Sequence, residues 1–134
     1  MDIAEPRKII ARRTLVAEAE ALREQADGPE AWRQELAGLL RGAVAAGRDE
    51  IQARFRDSGH GLATVREHAF LLDQVLAFLV DGARTGALVD DAVVDDLAVL
   101  AVGGYGRREV CPHVRYQTWR CVGAARSLAA HPAG

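Results

Sequence analysis

Residues 97–113 read LAVLAVGGYGRREVCPH, and the change of pattern inside them decides how the chain is built. Leu97 to Val102 is a continuous run of six apolar residues, preceded by Asp95-Asp96 and followed by Gly103-Gly104. Its length and flanks predict a buried strand rather than a helix. No other segment reads as strongly as a strand. A strand must satisfy its backbone N–H and C=O groups on neighbours, and none is evident. The architecture therefore reads as unfinished.

Everything upstream has helical periodicity. Pro6 suits the first turn of a helix, where its missing N–H leaves nothing unsatisfied. Ala11, Leu15, Ala19, Leu22 and Ala26 then recur at three- and four-residue steps, with Ile10 beside their start. One helix is expected from Pro6 to the Gly28-Pro29 break. A second fits Pro29 to about Phe55, on the spacing of Trp32, Leu36, Leu39, Leu40, Ala43, Ile51 and Phe55. Gly42 and Gly47 interrupt it, each costing about 1 kcal/mol relative to Ala, so a kink or a close packing contact is expected there. Asp57 to Gly61 is a turn. A third helix spans about Leu62 to Ala83, with Val65, Ala69, Leu72, Leu76 and Leu79 on one side. Phe70, Leu71, Val75 and Phe78 widen that face until it is apolar nearly all round, which predicts a central helix.

At 134 residues, 49% hydrophobic and 27% charged, the chain is a globular domain in size and composition. A net charge of −2 gives no electrostatic drive toward nucleic acid or an anionic membrane. No apolar stretch reaches the length of a membrane span, and the N-terminus lacks the pattern of a signal peptide. Cys111 and Cys121 are too few for a disulfide framework and are not spaced as CxxC, so a cytoplasmic setting is expected.

The chemistry rests on the glycines. Gly-Gly directly after a buried strand lets the backbone take positive φ and approach another group closely. Amide N–H groups in such a turn can converge on a phosphate oxygen. Gly106 keeps the loop small, and Arg107 or Arg108 offers a fork of donors to a triphosphate. The plainer alternative is a tight strand-end turn with no ligand. Glu109 is the carboxylate nearest these glycines and suits a capping or solvated role, with indirect help to a metal as the alternative.

The particular string favours the first reading. LAVGGYGRREVCPH resembles the start of the nucleotidyltransferase domain in the protein-PII uridylyltransferase/uridylyl-removing family. There an apolar strand is followed by GGYGRGEL, a proline and SDxD. RKIIARR near the start, AAGRDEIQARF at 45–55 and GLATVREHAFLLDQVL at 61–76 are similar to that family's helical leader. The resemblance covers about residues 6–113. It implies a mainly α chain: a helical leader, then the first strand and Gly-Gly turn of an incomplete α/β nucleotidyltransferase domain. The implied divisions are 1–90, 91–113 and a non-family tail at 114–134. Gly103, Gly104, Tyr105, Gly106 and Arg107 are the implied nucleotide-binding residues, UTP and the PII signalling protein the implied partners, and Mg²⁺ the family's cofactor.

The likeness stops at His113. Paired aspartates two residues apart on a strand share one face and give Mg²⁺ its hard oxygen ligands. Here Arg115 and Gln117 stand at those two places, and a cation repels Mg²⁺. Arg108 also replaces the last glycine of GYGRGE. The expectation is a truncated uridylyltransferase, inactive by the usual mechanism and without bound Mg²⁺. A single-base shift of frame relates codons for Ser-Asp-Ile to codons for Val-Arg-Tyr, although it does not account for Gln117. The alternative is a non-catalytic helical interaction module.

Other polar residues read as structural. His60, His68, His113 and His131 share no metal-ligand spacing, and His68 beside Glu67 reads as structural or solvated. Pro112 keeps Cys111 and His113 from pairing as nucleophile and base. Asp90, Asp91, Asp95 and Asp96 read as a solvated turn before the strand.

Overall fold

A computed structural model of the chain describes residues 3–84, 99–101, 103–110 and 119–121. The described part is mainly helical, in the order α1 (Pro6–Ile9), α2 (Arg12–Gln25), α3 (Pro29–Ser58), α4 (Gly61–Arg84), β1 (Val99–Ala101), α5 (Gly103–Gly106) and β2 (Trp119–Cys121). The longest helix, α3, packs against α1, α2 and α4.

The expected first helix is two. Ile10 is extended, with φ −158° and ψ 134°, and closes α1 by donating its N–H to Pro6 O at 3.2 Å. The break has a packing cause. Ile9 and Ile10 are both buried, and two successive helical side chains point about 100° apart. An extended residue between α1 and α2 lets both isoleucines join the core that Leu15 and Ala19 enter from α2.

The later boundaries follow their punctuation. Gly28, at φ 115°, leads directly into Pro29 at the first position of α3. Gly59, at φ 67°, caps that helix by donating to Phe55 O at 2.8 Å, so α3 runs through Ser58, slightly past Phe55. Trp32 crosses from α3 to α2, donating its indole N–H to Ala19 O at 3.0 Å while its ring is buried. The Arg23 guanidinium lies 5.5 Å from that ring's centroid.

Ile51 of α3 and Leu71 of α4 are the most deeply buried large side chains. Truncating either to Ala is worth roughly 2–5 kcal/mol. The centre of α4 therefore falls on the face carrying Leu71 and Phe78, the widening of the stripe, while Ala69 and Leu72 serve a second cluster. Gly47 makes the expected close approach: a Cβ built there would lie 2.8 Å from Leu71 Cδ1 and 2.9 Å from Ile9 O. Gly42 meets nothing within 4 Å.

Within the expected strand, Val99 to Ala101 is β1, and Leu97, Ala98 and Val102 lie outside the described residues. The strand was expected to lack a partner in this chain. It has one: β2 pairs with it antiparallel, Val99 opposite Cys121 and Ala101 opposite Trp119. That partner comes from the segment expected to be a non-family tail, where three residues are too few to show an alternation.

Candidate functional site

The glycine segment folds back onto α4. Gly103–Gly106 forms one helical turn rather than an open loop, and Arg108 closes it by donating its N–H to Tyr105 O at 2.9 Å. The left-handed conformation expected of the glycines falls instead on Arg108, at φ 59°. This is the position where the family pattern quoted above has a glycine.

Two hydrogen bonds fix the turn. Tyr105 is buried and donates its hydroxyl to Asp73 Oδ1 of α4. Five residues further on, Val110 donates its N–H to Val65 O at 3.3 Å. Between them Tyr105 and Val110 pack on Ala69, with Leu72 at the edge. Burial first, and the Asp73 carboxylate second, push the Tyr105 phenol well above its usual range. It is therefore protonated, and a donor, at any ordinary pH.

Beside this anchor lies an open cleft of about 800 Å³. Ile3, Ala4 and Pro6 form one wall, Arg107 and Arg108 the other. The floor is α4, through Ala63, Arg66, Glu67, Phe70 and Asp73. Arg107 is well exposed, and its Nε lies 3.5 Å from Glu109 Oε2. An exposed pair of that kind is worth at most about 1 kcal/mol, so an anion can displace the carboxylate.

The far wall is held by Arg54 of α3. Its guanidinium donates to Ala4 O at 2.6 Å, to Glu5 O at 3.0 Å and to Glu50 Oε1 at 3.0 Å. Glu67 Oε2 lies 3.6 Å from Arg54 Nη1 and is buried without a hydrogen bond. Burial pushes the Glu67 carboxyl above its usual 4.5, Arg54 opposes that, and Glu50 adds to it.

Of the five residues expected to meet a nucleotide, the structure brings Gly103, Gly104, Tyr105, Gly106 and Arg107 together in one turn and its exit. Tyr105 points into the protein, where it anchors the turn, and Arg107 points outward. Arg115 and Gln117 lie outside the described residues. Among the described residues no three His, Cys, Asp or Glu side chains are grouped to hold a metal. The nearby carboxylates have other partners: Asp73 has Tyr105, Glu67 faces Arg54, and Glu109 faces Arg107. They do not form a ligand set for Mg²⁺. What the arrangement offers chemically is a partly apolar cleft with Arg107 and Arg108 on its lining.

Asp73, Arg54 and Glu67 were not singled out as site residues in the sequence. Their roles depend on partners 32, 49–50 and 13 positions away, and no local signal carries that.

Comparison with known proteins finds relatives named as bifunctional uridylyltransferase/uridylyl-removing enzymes. The chain is 41% identical over 111 residues to a bifunctional uridylyltransferase/uridylyl-removing enzyme of Erythrobacter litoralis, 79% of this chain. It is 34% identical over 113 residues to that of Rhodospirillum rubrum and 34% over 116 to that of Azospirillum brasilense, 82% and 83% of this chain. The resemblance carried by GGYGR and the leader is thus borne out: the chain is similar to a segment of the bifunctional uridylyltransferase/uridylyl-removing enzymes. The matched part is 12% of the length of each of these relatives. No family model matches the chain, and no solved structure matches it. No helix among the described residues is long and apolar enough to cross a membrane.

Proposed function

We propose that this chain is a uridylyltransferase segment in which a helical leader carries a turn for the phosphates of UTP. In the family reading, UMP passes from UTP to a tyrosine of the PII signalling protein in the cytoplasm. Residues 1–90 are the leader, 91–113 the start of an incomplete α/β nucleotidyltransferase domain, and 114–134 a tail without family character. Gly103, Gly104, Gly106 and Arg107 meet the phosphates, while Tyr105 serves from beneath.

The observation that supports this most is the joining of the glycine turn to α4 through Tyr105 and Asp73, which leaves Arg107 and Arg108 on the cleft. The chain does not itself transfer UMP, because Arg115 and Gln117 stand where the family has its metal-binding aspartates. Calorimetric titration with UTP, with and without Mg²⁺, tests both parts. Saturable binding that Mg²⁺ does not strengthen, without transfer to PII, is the expected outcome. Undetectable binding at millimolar UTP removes the nucleotide role.

A second reading, a non-catalytic helical interaction module, has one observation in its favour. The larger core, from Ile9 to Phe78, is built within α1 to α4 and owes nothing to the glycine turn. The same titration separates the two readings.

A further inference from the structure

We propose that Asp73 is a positioning residue: by accepting the Tyr105 hydroxyl it fixes the glycine turn on α4 and sets where Arg107 and Arg108 face the cleft. Asp73 stands on a different helix from the turn it holds, so the leader governs the turn rather than merely preceding it. The inference rests on the phosphate-handling reading above only for its ligand; the placement of the turn stands on geometry alone.

Three observations converge on it. Tyr105 is 4% exposed, so its ring is seated in the small cluster with Ala69 and Val110. Seating a ring does not fix its rotation about the helix beneath it, whereas the hydroxyl–carboxylate bond does. The second tether, Val110 N–H to Val65 O, lies two turns of α4 away from Asp73 and closes the far end of the segment. Arg107 and Arg108 sit between the two tethers and line the same cleft as Asp73. A turn held at both ends presents its cations without having to order them on binding, and such preorganisation increases affinity. Arg66, Glu67 and Phe70, on the floor between Val65 and Asp73, move with the same helix.

Hydrogen exchange read by mass spectrometry on the whole chain tests the placement. Tyr105→Phe and Asp73→Ala should each speed exchange of the 103–110 amides by about tenfold or more, with α3 unchanged. Asp73→Asn keeps an acceptor oxygen and should recover at least part of the protection. The proposal is overturned if Tyr105→Phe is as protected as the parent chain. It is equally overturned if α3 loosens to the same extent, or if Asn recovers nothing. UTP affinity is the second readout, expected to fall about tenfold in Tyr105→Phe while the melting temperature moves little. Unchanged UTP affinity alongside faster exchange would overturn the positioning role. A parent chain that binds no UTP would remove the nucleotide reading and leave the exchange result to decide the placement.

Discussion

Gly47 of α3 and Leu71 of α4 approach so closely that a Cβ on the glycine would lie 2.8 Å from Leu71 Cδ1. The Ile9 carbonyl oxygen, at 2.9 Å from the same point, blocks escape on the other side. A leucine tip can shift, but a backbone oxygen cannot without moving α1. Gly47→Ala should therefore destabilise the chain by roughly 1–3 kcal/mol. Gly42→Ala, on the same helix with open space around it, should stabilise by up to about 1 kcal/mol. Urea melts followed by circular dichroism give both values. Equal responses of the two glycines would contradict the packing described.

Arg108 carries a left-handed backbone at φ 59°, which costs a non-glycine residue roughly 1–2 kcal/mol. Arg108→Gly should raise stability by about 1 kcal/mol after the glycine's own loss of chain entropy. The comparison to make is with Arg108→Ala, which keeps the strain and should give no gain. If Ala stabilises as much as Gly, the backbone conformation is not the cause.

Arg54 holds Ala4 and Glu5 by their carbonyls and faces Glu67, whose Oε2 is buried. Arg54→Ala removes those bonds and leaves the carboxylate without a nearby cation, a change of about 2 kcal/mol for a partly exposed group. Adding Glu67→Gln should restore part of that loss, since no charge is then left stranded. A double variant that is additive would show that the two side chains do not interact.

Glu67 also gives the stability a pH dependence of definite sign. Its folded carboxyl is raised above 4.5, chiefly by burial, so the folded chain binds the proton more tightly than the unfolded chain does. Stability from this group is present below the ordinary glutamate value. It falls as pH rises from there through the raised value. Glu67→Gln should lack this component, and the gap between the two proteins should narrow on acidification. A gap that widens toward low pH would reverse the assignment.

Much of the helical part was legible in the sequence, because α2, α3 and α4 each carry an apolar stripe over many turns. Gly28-Pro29 and Gly59 mark real boundaries for a local reason, their backbone conformation. The break at Ile10 was not legible, since a helix could carry the same residues and only the burial of both isoleucines rules it out. The centre of α4 was blurred by its apolar girth: Leu71 outranks the expected stripe because Gly47 opens a space for it. The glycine turn was recognisable as a motif, but its conformation was not. A tyrosine between glycines does not announce that its hydroxyl will reach an aspartate 32 positions earlier. That pairing depends on how the turn packs on α4, which local spacing cannot express.

The most direct test of the account is a calorimetric titration of the whole chain with UTP beside its Arg107→Ala variant. Arg107 is exposed and makes only a surface pair with Glu109, so its removal leaves the fold intact. The account predicts saturable binding by the parent chain and an affinity about tenfold weaker in the variant. Equal affinity in the two proteins, or no binding by either, would contradict it.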